Sequence, residues 1–182
     1  MKTIYLVRHA KAEGQPFEAP LTTLGQQQAK ALVEFFHDRP IDKIYSSPYV
    51  RTKATIRPIA EVRGLPIHED DRLAERKLGK PDIENWREKL QDTFNDFDLA
   101  FPEGESNRMA LARAESMIQE VLASDDEHIV LVSHGNLTTL LLHYFDQQHG
   151  YDTLMRLTNP DVYEITVHDE GHTLRRIWDD RI

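Results

Sequence analysis

The sequence predicts a three-layer α/β/α sandwich on a mainly parallel sheet, with a hairpin closing one edge. Short apolar, β-branched runs alternate with segments of helical period along most of the chain, the pattern of strand–helix–strand units. The runs at residues 3–7 and 128–132 lack polar alternation, as strands buried on both faces do. Near the end, two runs at 162–167 and 173–178 flank Asp169-Glu170-Gly171, a hairpin signal.

Taken in order, residues 3–7 form the first strand and lead into Arg8-His9. Residues 10–20 contain Gly14, Pro16 and Pro20 and read as a loop. Thr22 or Thr23 caps a helix to about His37, with Ala29, Leu32, Val33 and Phe36 on its apolar face. Residues 41–45 form a second strand, and Ser47-Pro48 reads as the cap and first position of the next helix. Pro58 should kink or split that helix. A short extended run follows at 65–68.

Between 82 and 97 the residues Ile83, Trp86, Leu90, Phe94 and Phe97 recur at helical spacing. Ser106 is placed to cap a helix over 107–123, which buries Ala110, Ala114, Met117, Ile118 and Val121. Residues 128–132 form another strand, ending in Ser133-His134-Gly135 before a helix from about 136 to 147. The expected organisation is a single domain over 1–182, with a small lid insertion at about 80–105.

Composition narrows the chemistry. The 182 residues suit one domain. With no cysteine, a disulfide framework, a thiolate metal site and a cysteine nucleophile are excluded. No apolar run approaches the ~20 residues that cross a bilayer. The first nine residues read as a strand rather than a signal peptide, so the expected location is the cytoplasm. The net charge of −9, without any basic run, argues against nucleic acid or anionic membrane as partner. An anionic small molecule would need a locally positive pocket.

Parallel sheets bind ligands beyond the carboxyl ends of their strands. Three expected strand ends carry polar groups: Arg8-His9, Ser46-Ser47 with Arg51, and Ser133-His134. Arg72-Leu73-Ala74-Glu75-Arg76 follows a fourth. These groups should meet on one rim. Each fragment alone has an ordinary reading, such as a solvated edge, a glycine turn or a helix start.

In joint order, however, the chain resembles the histidine phosphatase superfamily, the phosphoglycerate mutase-like proteins. Leu6-Val7-Arg8-His9 is similar to its arginine–histidine signature, and Leu21-Thr22-Thr23-Leu24-Gly25 with Gln28-Ala29 to a second segment. Ser46-Ser47-Pro48-Tyr49-Val50-Arg51-Thr52, Leu73-Ala74-Glu75-Arg76 with Gly79, Pro102-Glu103-Gly104-Glu105-Ser106 and Val132-Ser133-His134-Gly135 resemble four more. The chain departs from the family pattern at Ala10, where glycine is usual, and at Ala54, where glutamine is frequent.

The resemblance implies a phosphoglycerate mutase-like fold and phosphoryl transfer through His9, which attacks as a neutral imidazole. Charge on the transferring group is met by Arg8 and Arg51, with a protonated His134 as a third cation. Neighbouring arginines should keep His9 neutral, while its second ring nitrogen needs an acceptor that the sequence does not identify. Glu75 is implied as the acid that protonates the leaving oxygen, against the plainer reading of a surface carboxylate paired with Arg72 or Arg76. Ser106 and Asn136 are weaker phosphate contacts. No cofactor is expected, and no metal: His168 and His172 lack a third ligand.

The expected activity is hydrolysis of a phosphorylated small molecule. A mutase-type phosphotransferase and a phosphate-binding module without turnover are the alternatives. A mutase must shield its phosphorylated intermediate, and the stretch at 86–97 is the only candidate cover.

Overall fold

The computed structural model describes residues 1–182. Its six strands are β1 (Lys2–Arg8), β2 (Lys43–Ser46), β3 (Ile67–Glu69), β4 (His128–Ser133), β5 (Asp161–His168) and β6 (Gly171–Arg176). They form one sheet in the order β3-β2-β4-β1-β5-β6. The four strands from β3 to β1 run parallel, whereas β5 and β6 are antiparallel additions on the β1 side.

The helices are α1 (Thr23–Phe35), α2 (Val50–Arg63), α3 (Trp86–Asn95), α4 (Asn107–Ala123), α5 (Gly135–Phe145) and α6 (Tyr151–Arg156). Alternation along the strands creates the layers, because successive side chains point to opposite faces. Ile4, Leu6, Ile129 and Leu131 join the cluster containing Met117 and Ile118 of α4 and Leu140 and Leu141 of α5. Tyr5, Val7, Val130 and Val132 join the cluster containing Leu32 and Phe35 of α1 and Ile56 and Ile59 of α2. Both faces of the sheet are therefore covered.

The register brings the chemistry together. Arg8 lies opposite Ser133 on one side and Asp161 on the other, and Ser46 lies opposite Val132. The carboxyl ends of β1, β2 and β4 thus finish at the same level.

Several local expectations need correction. Ser47-Pro48 does not start α2: its N-cap is Tyr49, without a side-chain bond, and Ser47 is used elsewhere. Pro58 lies within an unbroken α2, whose buried face of Ile56, Ile59 and Ala60 outweighs one missing backbone donor. The stripe at 82–97 becomes helical only from Trp86, and Thr93 is its one fully buried helical residue. Phe94 and Phe97 pack on the core, while Trp86 is 50% exposed. The last strand starts at Gly171, and Trp178 leaves it to pack edge-on against Phe35 at 5.1 Å between centroids.

Thr22 and Ser106 do cap α1 and α4, accepting from the N–H groups of Gly25 and Met109. A side chain at Gly25 would place its Cβ 2.0 Å from the Lys11 carbonyl oxygen, so glycine permits the 10–20 loop to lie against α1.

Candidate active site

His9 stands immediately beyond β1, and His134 immediately beyond β4 as the N-cap residue of α5. Their rings meet edge to face, 5.3 Å between centroids. Arg51 projects from the first turn of α2, and its Nε donates to His9 Nε2 at 3.3 Å. Arg8 completes the group from the end of β1.

The acceptor that orients His9 is its neighbour's carbonyl. Nδ1–H donates to the Ala10 oxygen at 2.7 Å, which puts the lone pair on Nε2, where it accepts from Arg51 Nε. Burial lowers the pKa of His9 to about 3, and Arg51 and Arg8 add to the effect against the opposing Ala10 hydrogen bond. Desolvation is the main cause, and the arginines act in the expected direction as smaller contributions. The His9 backbone is also fixed: its N–H donates to the Ser133 carbonyl at 3.1 Å, and Asn159 Nδ2 donates to its carbonyl at 2.9 Å.

Ala10 is buried with Leu21 and Ala29, and Ala12 and Ala54 pack against this small cluster. The two departures from the family pattern, Ala10 and Ala54, therefore share one patch of small side chains. The Ala10 N–H donates to Thr55 Oγ1 at 2.9 Å, so it is not free to contact a ligand.

Arg51 is 1% exposed. Its Nη1 donates to the Gln15 and Pro16 carbonyls at 3.0 and 2.9 Å, tying the 10–20 loop to the site. Its guanidinium lies over the Tyr49 ring at 4.9 Å, and that ring in turn packs against His134. Arg8 Nη1 donates to the Leu157 carbonyl at 3.1 Å, while its buried Nε has no protein acceptor. Burial lowers the pKa of both arginines, with the Glu75 carboxylate acting in the opposite sense.

His134 is not the cation expected from the sequence. Burial, followed by His9, Arg51, Arg8 and Arg113, holds its pKa well below the ordinary value. Its Nε2 lies 2.8 Å from Ser47 Oγ, and its buried Nδ1 has no partner.

Glu75 lies at the N-terminus of α5. Oε1 accepts from the N–H groups of Arg76 and Leu137 at 3.0 and 2.9 Å, and Oε2 accepts from Asn136 N–H at 3.0 Å. Helix N-termini favour such a negative group. Neither expected arginine forms a salt bridge with it. Arg72 pairs with Asp70 and Glu120. The Arg76 guanidinium is buried and donates to Thr93 Oγ1, Asn136 Oδ1 and the Glu105 carbonyl. Arg113 anchors the same segment by donating to the carbonyls of Arg72 and Ala74.

The two weaker candidates are engaged in structural bonds. Ser106 Oγ accepts from the Met109 N–H at 3.1 Å. The Asn136 side chain accepts from Arg76 and donates to Asn107 Oδ1 at 3.1 Å, so its amide belongs to a buried network with α3 and α4. Ser47, Thr55, Arg76 and Asn159 are site-building residues that sequence reading did not assign. Ser47 carried a signal in its place directly after a strand, and Arg76 in its place beside Glu75. Asn159 is distant in sequence, with nothing local to mark it.

No three His, Cys, Asp or Glu side chains are grouped to hold a metal ion, and His172 Nε2–H donates to the Phe145 carbonyl. No helix is long and apolar enough to cross a membrane.

A neutral imidazole whose lone pair faces Arg51, with Arg8 and two buried unpartnered nitrogens in the same group at a parallel-sheet rim, is suited to receiving an oxyanion such as phosphoryl. Residues 4–180 match the family model of the histidine phosphatase superfamily (branch 1), and the chain belongs to that family. Phosphoserine phosphatase 1 of Hydrogenobacter thermophilus is 31% identical over 150 residues, covering 74% of this chain and 71% of that protein. An Escherichia coli protein named a probable phosphoglycerate mutase, GpmB, is 31% identical over 154 residues, covering 74% and 70%.

The fold matches that of mycobacterial glucosyl-3-phosphoglycerate phosphatase solved with inorganic phosphate, at TM-score 0.79 and 24% identity over 98% and 96% of the two chains. The alpha-ribazole phosphatase of Shigella flexneri gives TM-score 0.78 and 24% identity over 96% and 95%.

Proposed function

We propose that this protein is a phosphomonoester hydrolase that works through a phosphohistidine on His9. The observation that carries this reading is the fixed His9 ring: Nδ1–H is committed to the Ala10 carbonyl, and Nε2 keeps its lone pair beside Arg51. In the first step Nε2 attacks phosphorus as the bond to the leaving oxygen breaks. Arg8 and Arg51 stabilise the charge on the equatorial oxygens, and Glu75, having taken up a proton from solvent, delivers it to the leaving oxygen. A carboxyl group has about four lone-pair sites; three of those of Glu75 accept backbone N–H groups, which leaves one for that proton. In the second step Glu75 takes a proton from water, water attacks phosphorus, and the N–P bond breaks to release inorganic phosphate.

The arginines supply the positive charge, so the reaction proceeds without a metal. The substrate is a phosphorylated small molecule, in keeping with the phosphoserine, alpha-ribazole-phosphate and glucosyl-3-phosphoglycerate phosphatases among the similar proteins. The chain works as one domain in the cytoplasm, with the segment at about 80–105 as its lid. GpmB-type relatives keep a mutase reading in view, but a cover limited to one ten-residue helix with a largely exposed surface favours hydrolysis.

His9→Ala should remain folded and lose hydrolysis of p-nitrophenyl phosphate, and wild-type protein quenched during turnover should carry an acid-labile phosphoryl group. Activity should persist in a strong chelator. Substantial turnover by folded His9→Ala would refute the mechanism. Chelation loss restored by a divalent ion would refute its metal independence.

A further inference from the structure

We propose that Ser47 is a positioning residue that fixes His134 as a neutral imidazole with its proton on Nδ1, the hydrogen-bond donor offered to a phosphoryl oxygen. The proposal deepens the reading of this site as a phosphoryl-transfer centre and rests on it.

Ser47 is fully buried, and its backbone is held by two hydroxyls, Ser46 Oγ and Thr52 Oγ1, both donating to its carbonyl. Its own hydroxyl oxygen meets two groups: the Tyr49 N–H at 3.3 Å and His134 Nε2 at 2.8 Å. Suppose Nε2 carried the proton of a neutral His134. It would donate to Ser47 Oγ, the serine proton would find no acceptor, and the Nδ1 lone pair would also be unmatched. With the proton on Nδ1, Ser47 accepts from Tyr49 and donates to Nε2, so its proton is matched. Of this pair of side chains, only His134 Nδ1–H then lacks a partner. Each unmatched buried polar group is costly, so the second arrangement is favoured.

Protonating both nitrogens is opposed by burial first, and then by His9, Arg51 of α2, Arg8 at the end of β1 and Arg113 of α4. Tyr49 packs edge-on against the ring at 4.8 Å between centroids and restricts its rotation. The remaining unmatched donor of the same cluster is Arg8 Nε. Two buried N–H groups without acceptors, on residues grouped with the His9 nucleophile, suit an oxyanion, and one of them exists only if Ser47 donates to His134. In the Ser47→Ala variant Nε2 loses that donor, and the two tautomers become close in energy.

The test is nuclear magnetic resonance of imidazole nitrogens in phosphate-free, ¹⁵N-histidine-labelled protein, with His134 assigned by its loss in His134→Gln. The expected result is a protonated Nδ1 and an unprotonated Nε2 in the wild type, with Nδ1–H shifted by inorganic phosphate. In Ser47→Ala the tautomer preference should weaken or reverse, and the inorganic phosphate dissociation constant should rise about tenfold or more. Ser47→Thr, which keeps the hydroxyl, should restore both. A wild-type proton on Nε2 would overturn the proposal, and that measurement needs no variant to fold. So would Ser47→Ala with weaker phosphate binding but an unchanged tautomer, since Ser47 would then be only a packing residue. The resting spectrum does not depend on turnover, so a failure to trap phosphohistidine would count against hydrolysis and leave this assignment standing.

Discussion

Replacing Glu75 with glutamine separates the proton-transfer role of this carboxyl group from its place at the end of α5. The native carboxylate accepts three backbone N–H groups, two on Oε1 and one on Oε2. A glutamine amide oxygen can retain the pair from Arg76 and Leu137. Its NH₂ group then faces the Asn136 N–H, donor against donor. One half-buried donor is left unmatched, at about 1–3 kcal/mol, and a negative charge is lost from a helix N-terminus, at about 0.3–1 kcal/mol. The melting temperature should fall by roughly 4–10 °C, with the protein still folded at room temperature.

The kinetic consequence is larger and selective. Losing general acid assistance costs on the order of 10²–10⁴-fold, and the loss should fall on substrates whose leaving group needs a proton. An alkyl phosphate leaves as a strongly basic alkoxide, whereas nitrophenolate leaves with little help. Glu75 also serves water in the second step, so the assay is single-turnover phosphorylation of His9 by each substrate, read by rapid quench. Equal losses for both substrates would refute the acid role and leave Glu75 as a structural or electrostatic group. Glu105 would be a poor replacement, because Arg113 already holds both its carboxylate oxygens.

Two further predictions follow from the same geometry. His9 and His134 both have pKa values lowered by folding, so below about pH 6.5 the unfolded chain binds protons that the folded protein refuses, for His9 down to about pH 3. Their contribution to stability is complete above about pH 6.5 and is lost as pH falls, by up to about 1.4 kcal/mol per unit for each histidine. Urea unfolding at pH 7.5 and 5 should report a smaller pH-dependent loss in His9→Ala, and an unchanged loss would contradict the assignment. At Gly135 an added Cβ would lie 3.1 Å from Arg8 Nη2 and 3.0 Å from Leu154 Cδ1. Gly135→Ala should therefore displace the guanidinium and weaken inhibition by inorganic phosphate about tenfold. Unchanged inhibition in the folded variant would show that Arg8 tolerates the shift.

The layered fold was legible because it rests on periodicity. Apolar strands such as 128–132 and helices such as 107–123 bury the faces their patterns mark, whatever their neighbours. That Arg8, His9, Arg51 and His134 would meet on one rim was likewise legible, since each ends a strand, directly follows one or opens the helix after one. What the linear pattern could not carry was the pairing of polar atoms across the sheet. Ser47 looked like a helix cap and instead meets a histidine 87 positions away. Asn136 looked like a ligand contact and instead meets Arg76 and Asn107. Pro58 looked like a break and is absorbed by a buried helix face. A positive charge on His134 is also disfavoured, because burial and the surrounding arginines oppose it, which no local pattern reveals. Hydrophobic patterning acts through the average burial of a face and survives small errors of register, whereas a hydrogen bond depends on two particular atoms meeting within about 3 Å, which only the folded chain decides.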